Sequence, residues 1–315
     1  MTTVLCMHHQ PDAISGILEE RFPALDVHYA ATNAEISERL SSIAPEVVFS
    51  IKGPEFPGNE HRRVLDCPEV KWVQVGGSGY EHMQPYDAGR IAMTNCAGLL
   101  ARHLAQTVTG AMIAMNGHFF TYRDQQRRAE WTPRAFEPLE GQRLLVVGLG
   151  QIGTWVAHNA KALGMQVDAV RRGSEKPDVV DQLFTPDVLH EALSLADVVS
   201  VHVRATPETQ HLFAADTFAA MKRGAYFINT SRGMVVDTAA LIDALDQGHL
   251  AGAYLDVFEE EPLPGDHPIW ARDNVFVMPH ASDNIHAWDR RFTEFFADNM
   301  ERWLAGKPLL NRVDG

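Results

Sequence analysis

The sequence predicts an α/β protein made of two doubly wound parallel-sheet domains, and three observations carry that expectation. Short apolar runs alternate with amphipathic helical stretches along most of the chain. One of these runs passes directly into a glycine-rich loop and a helix, and the alternation continues on both sides of that loop. At 315 residues and 45% hydrophobic, the chain can bury more than one core.

The first domain opens with an apolar strand at residues 4–7. Amphipathic helices follow at 14–21 and 34–43, with strands at 47–51, 71–75 and 91–94. Asn95-Cys96-Ala97-Gly98 breaks the pattern and leads into a long helical segment reaching about residue 126, the expected crossing to the second domain. That domain begins with the strand Leu144-Leu145-Val146-Val147, then Gly148-Leu149-Gly150-Gln151-Ile152-Gly153, then a helix on which Ile152, Val156, Ala160 and Leu163 recur at helical spacing. Strands are expected at 166–170, 198–203, 225–229, 252–257 and 275–278. A last helix, at about 285–304, places Trp288, Phe292, Phe295, Phe296, Met300 and Trp303 at the spacing that burial demands. The expected boundaries are 1–96 with 285–315 for a smaller flavodoxin-like domain and 97–284 for the second.

The glycine loop gives the second domain its chemistry. GxGxxG alone is a weak signal, but between a strand and a helix it marks a Rossmann dinucleotide site. The glycines allow a tight turn and close approach to a pyrophosphate, and the helix offers unpaired N–H groups and its positive dipole end. Gly148, Gly150, Gln151, Ile152 and Gly153 are therefore candidate cofactor contacts. About 20 residues on, such sites usually carry an acidic residue for the ribose 2′-hydroxyl. Arg171 stands there instead, followed by Arg172, Ser174 and Lys176. Guanidinium groups suit a 2′-phosphate, whereas a carboxylate would repel it, so the expected cofactor is NADP(H).

The balance of 27 Lys+Arg against 41 Asp+Glu, a formal charge of −14, argues against nucleic acid or an anionic membrane as the main partner. The chain enters its first apolar strand without a basic region, and residues 99–120, the most apolar long stretch, are interrupted by Arg102, His103, Gln106, Asn116 and His118. Neither a leader nor a membrane span is expected. Cys6, Cys67 and Cys96 form no paired spacing, which points to the reducing cytosol. His8-His9 has no carboxylate or cysteine at a helpful spacing, and no metal is expected.

Three later segments each put a polar residue at the end of an expected strand: Phe227-Ile228-Asn229-Thr230-Ser231-Arg232-Gly233, Leu255-Asp256-Val257-Phe258-Glu259-Glu260-Glu261-Pro262, and Met278-Pro279-His280-Ala281. In an open α/β sheet that edge faces the ligand. Singly, Arg232 reads as a surface ion-pair partner, Glu261 as a solvated glutamate and His280 as a satisfied strand-end histidine. Together they form an anion clamp, a charge partner and an acid/base.

With GLGQIG, Ala196-Asp197-Val198-Val199-Ser200-Val201-His202-Val203, Thr206-Pro207-Glu208-Thr209, Met221-Lys222-Arg223-Gly224 and DVFEEEP, the chain resembles the D-isomer-specific 2-hydroxy acid dehydrogenases, and most of all their glyoxylate/hydroxypyruvate reductase branch. The resemblance implies that Arg232 binds substrate, that Glu261 partners the acid/base His280, and that Asp256 holds the nicotinamide carboxamide beside Thr230 and Ser231. It further implies that the amides around Gly77, Ser78 and Gly79 receive the substrate carboxylate, that the active site lies in the cleft between the domains, and that the protein is a homodimer with Trp131 on an arm. Lys52 with Gly53, and Tyr80, are candidates for the substrate side wall. Arg204, Gln106 and Ser282-Asp283-Asn284 depart from the family pattern. The expected activity is NADPH-dependent reduction of small 2-keto acids. The alternatives are a dinucleotide-sensing binding protein of the same fold, or a dehydrogenase of this family acting on 3-phosphoglycerate, formate or a bulkier 2-keto acid.

Overall fold

The computed structural model describes residues 2–53 and 56–313. It divides into two compact units, one formed by Met1–Leu99 with Ile285–Gly315 and the other by Leu100–Asn284. In chain order, the first unit contains β1 (Thr3–Met7), α1 (Asp12–Arg21), β2 (Asp26–Ala30), α2 (Asn33–Ile43), β3 (Val47–Ser50), β4 (Trp72–Val75) and β5 (Ala92–Asn95). The second contains α3 (Ala101–Asn116), α4 (Phe119–Arg127), β6 (Arg143–Val147), α5 (Gln151–Ala162), β7 (Gln166–Val170), β8 (Gln182–Phe184), α6 (Leu189–Leu195), β9 (Val198–Val201), α7 (Ala215–Ala220), β10 (Ala225–Asn229), α8 (Thr238–Asp246), β11 (Leu250–Leu255) and β12 (Val275–Val277). The chain then returns to the first unit with α9 (Trp288–Leu304) and β13 (Arg312–Val313).

Among the described residues the first unit's sheet has six strands in the order β13-β5-β4-β3-β1-β2, parallel except for the antiparallel β13. Its central strands β3 and β4 are mostly apolar and wholly buried, as burial on both faces requires. Helix α9 covers one face, with the Phe296 ring stacked on Phe49 at 4.4 Å and on Trp72 at 5.3 Å. Phe292, Phe296 and Met300 are buried, so the spacing of those aromatics along α9 reflects packing.

The second unit's sheet has seven parallel strands in the order β12-β11-β10-β9-β6-β7-β8. The direction of strand addition reverses between β6 and β9, the place where ligands bind in open α/β sheets. One face packs Phe213, Phe218 and Phe227; the other packs Met112, Val156 and Tyr254.

Three differences from the sequence reading have physical causes. The long helical segment is two helices, because Gly117 ends α3 and His118 takes a left-handed φ of 58°. Strand β2 escaped the apolar criterion because Asp26 and His28 interrupt it and it is only half-buried. β8 and β13, of three and two residues, are too short to show a period.

Candidate active site

The loop after β6 is shaped by close contacts that only glycine allows. Gly148 has φ 97°, and a Cβ there would lie 2.7 Å from the His202 carbonyl carbon and 2.8 Å from the Val203 nitrogen. The loop therefore rests directly on the backbone that leaves β9. At Gly153 a Cβ would meet the Gly148 oxygen at 2.4 Å, so the first turn of α5 packs onto the loop. At Gly150, the N-cap of α5, nothing lies within 4 Å, leaving room for a ligand at the helix N-terminus. A nicotinamide dinucleotide fits these residues. The pyrophosphate would be held at Gly148, Gly150, Gln151, Ile152 and Gly153, and the nicotinamide's chemistry is hydride transfer.

At the end of β7, the Arg171 amide donates to the Phe184 carbonyl at 3.2 Å, which fixes the backbone, and Arg172 and Ser174 are exposed. Lys176 is not available in the same way: its ammonium donates to the Val180 carbonyl at 2.7 Å. Asp168, the acid on β7, is buried and paired with Arg143 at 2.6 Å, well back from the carboxyl edge.

The polar residues at the ends of β10, β11 and β12 come together. His280 Nδ1 lies 2.7 Å from Glu261 Oε2, and the other Glu261 oxygen accepts the Phe258 amide at 2.9 Å. That hydrogen bond with Glu261 raises the His280 pKa above its ordinary value, against the opposing effects of burial and of Arg232's charge. Burial pushes the Glu261 pKa up, but the bonds to His280 and the Phe258 amide outweigh it and hold the carboxyl below its usual range. Arg232 acts electrostatically on both groups, and its guanidinium also donates to the Ser231 carbonyl at 2.7 Å.

The surrounding backbone holds this arrangement. A Cβ at Gly233 would stand 1.9 Å from the Phe258 carbonyl carbon, so only glycine lets the Arg232 loop press onto the segment that leads to Glu261. His280 itself has a left-handed φ of 48°, an unfavourable conformation held in place by its neighbours. Its amide donates to the Asp256 carbonyl at 2.9 Å, and Asp256 Oδ1 accepts the amides of Ala281 and Ser282 at 2.8 and 3.1 Å. Burial raises the Asp256 pKa.

Several residues not expected at the site from the sequence support it, although Ser282 is among the departures from the family pattern. Asn229 accepts the Ser231 amide and hydroxyl at 3.0 and 2.7 Å and donates to the Arg232 carbonyl at 3.2 Å. Partly buried His202 bridges Ser200 and Thr230, at 2.9 and 3.2 Å. Ser282 binds Tyr254 through its hydroxyl and Thr107 through its carbonyl. An Asn at a strand end, just before a Thr-Ser-Arg turn, is the sequence signal that would have drawn attention to the first of these.

The remaining candidates lie in the first unit. The amides of Gly77, Ser78 and Gly79 make no hydrogen bond to the described residues; the Gly77 carbonyl accepts from Cys96 and the Ser78 carbonyl from Asn95. Lys52 is exposed just beyond β3, and its charge acts on His61 and His82. Among the described residues, no group of three or more His, Cys, Asp or Glu side chains is placed to hold a metal ion, and no helix is long and apolar enough to cross a membrane.

Residues 109–282 match the family model described as D-isomer specific 2-hydroxyacid dehydrogenase, NAD binding domain. A glyoxylate reductase from Korarchaeum cryptofilum is 34% identical, over 89% of this chain and 94% of that protein. A glyoxylate/hydroxypyruvate reductase B from Salmonella newport is also 34% identical, over 81% of each. The crystal structure of a D-isomer specific 2-hydroxyacid dehydrogenase from Xanthobacter autotrophicus Py2, in complex with NADPH and MES, superposes with a TM-score of 0.83 at 29% identity, covering 100% of this chain and 98% of that one.

Proposed function

The chain belongs to the D-isomer-specific 2-hydroxyacid dehydrogenase family, and from that premise we propose that it reduces small 2-keto acids, glyoxylate and hydroxypyruvate first, to D-2-hydroxy acids with NADPH. The observation that carries this reading is the 2.7 Å bond between His280 Nδ1 and Glu261, with Arg232 acting on both. With Nδ1 committed to Glu261, Nε2 delivers the proton to the alkoxide that forms as the carbonyl is reduced. Glu261 favours the charged imidazolium. Arg232 grips the carboxylate and carbonyl oxygen and so fixes the face that is reduced. In the first unit, the unused amides of Gly77, Ser78 and Gly79 suit a carboxylate, and Lys52 is the candidate for contact with the rest of the substrate.

On the cofactor side, Thr230, Ser231 and the second oxygen of Asp256 are assigned to the nicotinamide end. Arg171, Arg172 and Ser174 are assigned to the ribose 2′-phosphate. The NADPH in the Xanthobacter relative supports this reading, as does an arginine at the ribose position. Cysteines 6, 67 and 96 are free, and Cys6 and Cys96 are buried, which supports a reducing cytosolic setting.

We further propose a homodimer formed through the second unit. Most of its exposed large apolar side chains lie on α3, α4, α5 and the segment after α4, namely Ile113, Phe119, Trp131, Phe136 and Trp155, with Trp131 97% exposed; Leu195 and Trp270 lie elsewhere. That segment is ordered by bonds from the Tyr122 hydroxyl to the Arg134 carbonyl and between His118 and the Ala135 carbonyl, both 3.0 Å. Sedimentation of the wild type is expected to give a dimer, and a Phe119→Ser/Trp131→Ser variant a monomer. A monomeric wild type would refute the assignment.

The activity is tested by initial rates with glyoxylate, hydroxypyruvate, pyruvate and phenylpyruvate, each with NADPH and NADH. Turnover of the small keto acids with NADPH is expected. Turnover with NADH alone would overturn the cofactor reading, and tight NADPH binding without turnover would favour a dinucleotide sensor.

A further inference from the structure

We propose that Arg204 is a specificity-determining residue for the cofactor, supplying a third guanidinium to the phosphate on the adenosine ribose; this rests on the NADPH reading above. Arg204 lies just past the carboxyl edge of β9, one residue beyond Val203, whose backbone nitrogen would be only 2.8 Å from a Cβ at Gly148. It therefore sits next to the loop that would cradle the pyrophosphate. The turn that follows is fixed by one side chain. The Thr209 hydroxyl donates to the Arg204 carbonyl at 2.7 Å and accepts the Thr206 amide at 2.8 Å. The same turn comes within electrostatic reach of the β7 end, since the charge of Arg172 acts on Glu208.

Arg171, Arg172 and Arg204 thus border one edge, spanning the ends of β7 and β9 on either side of β6. Glu208, on the turn after Arg204, lies within electrostatic reach of Arg172. Two arginines against Glu208 would leave a single surplus positive charge for a group that carries nearly two negative charges at neutral pH. With Arg204 the surplus becomes two. Arg204 is exposed, and its guanidinium makes no hydrogen bond or ion pair among the described residues. Its planar fork of donors suits a phosphate, and nothing in the fold of the second unit uses it.

The test compares adenosine 2′,5′-bisphosphate with 5′-AMP by calorimetry on the wild type, Arg204→Ala and Arg204→Lys, alongside KM for NADPH and NADH. For Arg204→Ala the expected result is bisphosphate binding weakened about tenfold or more, 5′-AMP binding unchanged, KM for NADPH raised and kcat unaffected. Arg204→Lys is expected to recover part of the loss, and the thermal midpoint to stay at the wild-type value. Equal weakening of both nucleotides would mean that Arg204 acts on the adenine or the fold, and would overturn the proposal. So would no weakening at all. A wild type that binds the two nucleotides equally would overturn the NADPH reading itself, an outcome seen before any variant is measured.

Discussion

Two local constraints set His280, a backbone twisted to φ 48° and a carboxylate 2.7 Å from Nδ1, and the second raises its pKa. Reduction needs the protonated ring, so activity should be present below the raised pKa of His280 and be lost as pH rises through it. Glu261→Gln removes the principal cause of that shift. The alkaline limb of kcat/KM should then move to lower pH, and a limb that stays in place would exclude Glu261 as the charge partner. His280→Asn should cost about 10²–10⁴-fold in kcat. Its NADPH affinity, measured by fluorescence titration, should be unchanged. A drop in affinity matching the drop in kcat would make His280 a cofactor residue rather than an acid.

At the level of elements, the site is built from strand ends that can meet only where the backbone closes up. The Arg232 loop after β10 lies against the exit from β11 because Gly233 has no side chain, with a would-be Cβ 1.9 Å from Phe258. Gly233→Ala must push these two segments apart, at a cost of about 1–3 kcal/mol by the usual penalty for overpacking. Urea unfolding should report that loss, and kcat should fall because Arg232 moves relative to Glu261. A variant with wild-type stability and turnover would show that the contact does not position Arg232. The three strand-end motifs could be read in sequence because each combines an apolar run with a polar residue at its end. The supporting roles of Asn229, His202 and Ser282 could not, because an amide, imidazole or hydroxyl that holds a loop has no spacing that distinguishes it from a solvated one.

Across the whole molecule, buried His61 and partly buried His82 and His202 link stability to pH. Burial lowers His61 and His82 from 6.5 to about 4, and His202 to about 3. Each is neutral in the folded chain and would take up a proton near pH 6.5 once unfolded. The stabilisation is therefore complete above about pH 6.5 and declines as pH falls toward 4. Full protonation would cost on the order of 3 kcal/mol per residue. Urea unfolding from pH 8 to pH 4.5 should show that decline, and His61→Gln should flatten it. A curve with no slope below pH 6 would contradict the neutral assignment. Because His61 and His82 belong to the first unit and His202 to the second, both units should lose stability on acidification.

The sequence by itself determined the two parallel-sheet domains, the glycine loop between strand and helix, and the placing of Arg232, Glu261 and His280 beyond strand ends, because these depend on local properties. Apolar runs set strands, GxGxxG sets a turn, and a polar residue at a strand end sets a ligand edge. Only the tertiary structure decided that α3 and α4 are separate helices, that Lys176 is tied to Val180, and that Gly233 brings Arg232 up to the segment bearing Glu261. It also decided that Arg204, past β9, and Arg171 and Arg172, past β7, follow the two strands that flank β6. These features depend on contacts between residues far apart in the chain, and strand order, which brings such residues together, is not encoded in the spacing of any one segment.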